Sequence, residues 1–247
     1  MSWGDEYSRN VMKHILQGVG GSAVLLTALT ACPGPRPPYV PPVSLNFRFP
    51  DTPASPELKL AAIFFEEAAI PEGRPKVKVL VGGQLNGDSG ATVRQGTLFL
   101  DAYALGELKN NAACVTPFVG GEARDMQDVT VTPATVKTCN VYFTLFRDVN
   151  NDGVPNSSEE LYTTHDLYSY ADSAFTYRMT SPDGRSVETG GRAAGWSLVR
   201  HEVRQPTATP GQYRVTMNSV PADDEGLTLR LHEDTDPLTS MGLGGPR

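Results

Sequence analysis

Val43-Ser44-Leu45-Asn46-Phe47-Arg48-Phe49 alternates apolar and polar residues at period two and is stopped by Pro50. Successive strand side chains point to opposite faces, so this alternation predicts a half-buried β-strand. Lys76-Val77-Lys78-Val79-Leu80-Val81 repeats the pattern and ends at Gly82-Gly83. Between them, Leu58 to Phe65 is an almost unbroken apolar run, readable as a buried strand or a short helix. Ala91 to Leu100 follows, with Val93, Leu98 and Leu100 as core candidates.

Working outward, the second half reads the same way. Asp128–Pro133 and Cys139–Phe146 are strand-like, and further strands are expected at Ala174–Met179, Trp196–Val203, Gln212–Asn218 and Leu227–Leu231. Ser181-Pro182-Asp183-Gly184 is a turn signal. Short runs bounded by Gly, Pro, Asn and Asp predict an all-β fold, an antiparallel β-sandwich of one large or two small units. In strand spacing it resembles the immunoglobulin-like and carboxypeptidase-regulatory-like sandwiches of exported proteins. A composition break at Gly120–Arg124 would divide an N-terminal β unit (43–120) from a C-terminal one (125–233), followed by a flexible tail (234–247).

The chain before the first strand carries an address. Lys13 precedes a mostly apolar or small stretch from Ile15 to Leu29, too short and glycine-broken for a membrane span of roughly 20 apolar residues. A basic start, a short apolar core and small residues before a cut describe a secretory signal peptide over residues 1–31. Asp5 and Glu6 do not suit such a start, and Met12-Lys13 reads better as its beginning. Leu29-Thr30-Ala31-Cys32 closes the core and resembles the lipobox of bacterial lipoproteins. The resemblance implies cleavage before Cys32, acylation of that cysteine, and attachment to a lipid bilayer on the exported side of a cell envelope. Pro33-Gly34-Pro35-Arg36-Pro37-Pro38-Tyr39-Val40-Pro41-Pro42 is too rich in proline for helix or inner strand. Residues 32–42 therefore read as a lipidated cysteine and an extended tether.

Loss of residues 1–31 leaves 216 of the 247 residues, and the net charge stays at −7. That balance argues against nucleic acid as a partner. With Cys32 committed to lipid, Cys114 and Cys139 remain as a pair in an oxidising compartment, and a disulfide between them is expected. Two reduced, separately buried thiols are the alternative.

Asp148-Val149-Asn150-Asn151-Asp152-Gly153-Val154-Pro155-Asn156-Ser157-Ser158-Glu159 fits D-x-[DN]-x-[DN]-G-x₅-E at every specified position. Calcium takes six to eight hard oxygen ligands. Asp148, Asn150 and Asp152 would supply side-chain oxygens, Val154 its carbonyl, Asn156 a direct or water-mediated contact, and Glu159 a closing carboxylate. Strand-like sequence precedes the loop, and Pro155 departs from the helix–loop–helix pattern. The twelve residues resemble the aspartate-rich loops of thrombospondin type 3 repeats. A metal-free Asx-rich hairpin is the plainer reading of the same residues.

Little else points to chemistry. His165, His201 and His232 show no H-x-H or H-E-x-x-H spacing, so a copper or zinc enzyme has little support. His165, Asp166 and Ser169 invite a triad reading without a G-x-S-x-G elbow. Glu66-Glu67 and Asp223-Asp224-Glu225 are carboxylate clusters without a visible cleft. Tyr162, Tyr168, Tyr170, Phe175, Tyr177 and Trp196 would suit either a sugar-stacking platform or cross-strand core packing. The leading expectation is a non-catalytic, membrane-tethered envelope protein with structural calcium and an envelope protein or glycan partner. A carbohydrate-binding module and an exported hydrolase or redox enzyme stay open beside it.

Overall fold

The computed structural model describes residues 42–66, 76–87, 92–205, 208, 211–220 and 228–233. The signal, Cys32, residues 33–41 of the tether, Glu67, Asp223-Asp224-Glu225 and the 234–247 tail lie outside the described residues.

The fold is all-β and sandwich-like. In the first half, β1 (Val43–Pro53), β2 (Leu58–Glu66), β3 (Lys76–Gly82), β4 (Gln84–Asn86) and β5 (Thr92–Leu100) lead to helix α1 (Ala102–Lys109). There follow β6 (Thr116–Pro117), β7 (Gln127–Thr132), β8 (Lys137–Arg147), β9 (Glu160–Thr163), β10 (Leu167–Ala171) and β11 (Phe175–Thr180). β12 (Ser186–Arg192), β13 (Gly195–Arg204), β14 (Tyr213–Ser219) and β15 (Thr228–Arg230) complete the described elements.

One sheet has four strands in the order β15-β1-β5-β4. The other has eleven and runs β3-β2-β8-β10-β13-β14-β12-β11-β7, with β6 and β9 also paired to β8. Most pairs are antiparallel, and two, β1 with β15 and β12 with β14, are parallel. β2 pairs with β8 from Leu58↔Arg147 to Ile63↔Tyr142, so strands from the two halves of the chain share one sheet.

The period-two pattern of β1 explains the contact between the sheets. Leu45, Phe47 and Phe49 face a core completed by Val93, Leu98 and Leu100 of β5 and by Val141, Phe143 and Leu145 of β8. Phe47 meets Phe143 with ring centroids 5.1 Å apart. The apolar run 58–65 is a strand, and its continuity follows from burial on both faces. Leu58, Leu60, Ala62 and Phe64 enter this core, while Ala61 and Ile63 join Phe146 on the opposite face. Alternation vanishes where neither face meets water.

A second core gathers residues of β10, β11, β13 and β14 around Phe118, Ala123 and Val136. Gly190 marks the tightest approach. A Cβ there would lie 2.4 Å from the Met217 carbonyl oxygen and 2.4 Å from the Tyr177 ring.

Cys114, just after α1, is bonded to Cys139 of β8, with Cα atoms 5.0 Å apart. The bridge fastens the only helix among the described residues to a central strand. Asp101 caps that helix by accepting from the Ala104 N–H at 2.7 Å, and Leu105 and Leu108 are its buried face. With eight residues and two buried positions, the helix leaves little periodicity in the sequence.

Candidate functional site

The calcium-type loop connects β8 to β9. Its two ends are buried, with Asp148 2% and Glu159 5% exposed, while Asn150, Asp152 and Asn156 are exposed. Asn151 and Gly153 adopt left-handed φ angles of 58° and 75°, which turn the chain back on itself. The backbone then directs its N–H groups at the loop's own side chains. Asp148 Oδ2 accepts from the Gly153 N–H at 3.1 Å, Asn150 Oδ1 from Asp152 at 2.9 Å, and Asp152 Oδ1 from Val154 at 2.8 Å. Glu159 Oε1 reaches across the loop to the amides of Val149 and Asn150 at 3.1 and 3.3 Å. The Asn156 side chain donates to Glu159 Oε2, and its own Oδ1 accepts from Ser158.

The twelve-residue motif is thus a closed, oxygen-rich turn whose carboxylates from the two ends are held by backbone donors. Two further features bear on ion binding. Asp148 Oδ1 is buried without a hydrogen-bond partner. Asp148 Oδ2 also takes the Lys59 ammonium, from β2. That hydrogen bond is the main reason the Asp148 carboxyl is held below the usual carboxylate range. Lys59 is invisible to a motif written on residues 148–159, and it is the neighbour that an entering cation has to meet.

The other constellations weighed in the sequence come apart or rearrange. Ser169 does not join His165 and Asp166. Its hydroxyl donates to Asn140 Oδ1 at 2.7 Å, while Asp166 Oδ1 accepts from the His201 backbone N–H at 2.8 Å. Of the six aromatics, Tyr168, Phe175 and Tyr177 are buried and Tyr162, Tyr170 and Trp196 half-buried. Tyr168 and Trp196 stack at 5.6 Å and 4° with Tyr168 only 6% exposed, which is core packing and no open platform.

Two polar clusters arise that sequence spacing did not reveal. The first centres on Arg192 of β12, 3% exposed. Its guanidinium forms a two-pronged pair with Glu122 and also donates to Asn140 and Ser169 at 3.4 and 3.3 Å. Phe118, Phe175 and Tyr177 surround it at 5.4–5.8 Å from their ring centroids. Tyr177 donates to Glu188 Oε1 at 2.6 Å, and burial pushes the Glu188 carboxyl up to about 7. Two carboxylates thus stand near one buried guanidinium.

The second cluster is made of the three histidines. His165 and His201 have ring centroids 4.8 Å apart, and His165 and His232 5.9 Å. The register of β10 and β13 brings the first two together. Leu167 pairs with Val199, and the same register continued by two residues sets His165 opposite His201. The Thr163↔His232 bridge supplies the third. Burial is the chief cause that drops the His165 imidazole to about 3 and that of His201 to about 4, so both are neutral at pH 7. Among the described residues, no group of three or more His, Cys, Asp or Glu side chains is arranged so that it could hold a metal ion.

The chain matches no protein-family model, and neither the curated proteins nor the solved structures contain a significant match to it.

Proposed function

We propose that this chain is an envelope lipoprotein, tethered to a bilayer through acylated Cys32, whose non-catalytic β-sandwich serves a structural or binding role and carries a structural calcium loop. The observation that carries the reading is Leu29-Thr30-Ala31-Cys32 at the end of an apolar core, followed by ten residues of which six are proline. The Cys114–Cys139 bond supports export, since disulfides persist in oxidising compartments. Two or more acyl chains give lasting attachment where one is marginal. Among the described residues no helix is long and apolar enough to cross a membrane.

Expressed in a bacterium with lipoprotein processing, the wild type should partition with membranes, and Cys32→Ala should be released or retained as uncleaved precursor. Unchanged partitioning and unchanged processing of the variant would overturn the anchor.

For calcium, the supporting features are the buried Asp148 Oδ1 without a partner and the inward-held Glu159 carboxylate. Extracellular calcium modules have Kd values of about 10⁻⁴–10⁻³ M. Binding only the folded state then stabilises by RT ln(1 + [Ca²⁺]/Kd), about 1 kcal/mol at millimolar calcium. That is roughly 2–4 °C in melting temperature for a domain of this size. Asp148→Ala with Asp152→Ala should abolish the increment, and Lys59→Met should enlarge it by removing the competing ammonium. Identical melting of the wild type in chelator and in calcium would leave the second reading, which the Lys59–Asp148 pair favours: a metal-free turn stapled by a lysine.

A further inference from the structure

We propose that His165, His201 and His232 form an acid-sensitive latch: at neutral pH the packed rings hold segment 228–232 across both sheets, and protonation of the imidazoles releases it. The segment is a strap with a hold on each sheet. β15 pairs with β1 of the four-stranded sheet, and the Leu231 N–H extends that contact by donating to the Arg48 carbonyl at 2.8 Å. One residue later, the His232 N–H and carbonyl both bond Thr163 of β9, in the larger sheet, at 2.9 Å. Leu229 and Leu231 are buried in the core that contains Phe47 and Phe143.

The rings are packed for their neutral form. The centroids of His201 and His232 lie 4.8 and 5.9 Å from that of His165. One nitrogen of each ring is buried without a hydrogen-bond partner: Nδ1 of His165, Nε2 of His201 and Nδ1 of His232. Whichever nitrogen carries the proton of the neutral ring, an imidazolium carries N–H at both, so protonation leaves a charged donor buried and unpaired. Imidazoliums at this spacing also repel one another. Protons can arrive, because His201 and His232 are only half-buried.

The surrounding charges do not offset that cost. Arg200 and Glu202 flank His201, Arg230 and Glu233 flank His232, and Arg48 stands opposite Arg230 in the β1–β15 register. β9 adds Glu160, which accepts from Thr144 of β8 at 3.2 Å. Three arginines thus stand against three glutamates. The one carboxyl bonded to the cluster's own backbone is Asp166, which accepts from the His201 N–H. Burial pushes that carboxyl up, so it gives up its charge as acid arrives.

The sign of the response follows from the closed form. Burial first, and then the neighbouring rings, hold His165 at about 3 and His201 at about 4, against an ordinary 6.5. The open form therefore binds protons more tightly, and closure is fully favoured above pH 6.5 and lost progressively as pH falls from 6.5 towards 4. With both rings fully wetted on release, the open-to-closed ratio rises up to about 500-fold between pH 7 and pH 5. Glu188, raised to about 7, acts in the opposite direction over this window and does not mimic the effect.

The test is hydrogen exchange read by mass spectrometry on the full chain with its disulfide formed, with intrinsic exchange rates normalised. Between pH 7 and pH 5 the amides of residues 229–232 and of Thr163 should lose at least about tenfold in protection, while those of β5 and β8 keep theirs. His165→Phe with His201→Phe retains two packed rings without a titrating nitrogen and should abolish the difference. Should that variant misfold, the wild type still decides: in half-unit steps below pH 6, opening should take up more than one proton. Equal protection of the strap at pH 7 and pH 5 overturns the proposal. So does loss of β8 protection in step with the strap, uptake of one proton or fewer, or a pH difference that survives in a folded double variant.

Discussion

Replacing Glu188 with glutamine should stabilise the protein at pH 8 and do nothing at pH 4. Glu188 is 4% exposed on β12 and accepts a hydrogen bond from the Tyr177 hydroxyl, while the Glu122 carboxylate nearby shares Arg192. Desolvation, the largest influence, and repulsion from Glu122 raise its carboxyl from 4.5 to about 7, outweighing the favourable Tyr177 bond and the attraction of Arg192. The folded state therefore holds this proton more tightly than the unfolded chain. Below pH 4.5 both states are protonated and Glu188 is harmless. As pH rises from 4.5 towards 7 the unfolded chain alone ionises, so stability falls across that window and is level above it. A shift of about 2.5 units at 1.36 kcal/mol per unit is on the order of 3 kcal/mol.

Glutamine keeps an oxygen for Tyr177 and removes the charge, so it recovers up to that amount above neutrality. In a domain of this size about 3 kcal/mol is roughly 6–12 °C in melting temperature. The assay is thermal melting of wild type and Glu188→Gln at half-unit steps from pH 4 to 8.5. The difference between them isolates this carboxylate from every other titrating group. The curves should coincide near pH 4, separate through the window and run parallel above it. If glutamine is neutral or destabilising at pH 8, Glu188 is a productive member of the Arg192 network and the desolvation argument fails.

Gly190→Ala should cost about 3 kcal/mol or more in denaturant unfolding, since its Cβ would collide with the Met217 carbonyl, a backbone atom with little freedom to yield. Gly153→Ala meets no atom within 4 Å, so its milder loss should come from the strained φ of 75° alone. Cys114→Ala with Cys139→Ala opens a loop of separation 25 and should cost about 3.5 kcal/mol in the chain-entropy model, seen as a lower denaturant midpoint. Asp101→Ala removes the cap of α1 and should cost about 1 kcal/mol by the same measurement.

What was legible in the sequence, and what was not, follows from the range of the interactions. β1, β3, β5 and β8 were readable because one face or both meets a core, and burial writes itself into the alternation or continuity of apolar residues. β10 and β12 were not. Ser169 and Arg192 place polar groups at interior positions, where they serve the Glu122 network and spoil the apolar pattern. The loop 148–159 was readable because its donors and acceptors lie within twelve residues, while its most consequential neighbour, Lys59, lies 89 residues away.

The histidines make the same point in reverse. At positions 165, 201 and 232 they are too far apart for any spacing rule, and a search for short metal motifs passes over them. Their meeting depends on two registers, Leu167↔Val199 and Thr163↔His232, that exist only once the sheet has formed. The cluster is imposed by the fold alone: each ring keeps one buried nitrogen without a hydrogen-bond partner, a desolvation that the unfolded chain does not carry.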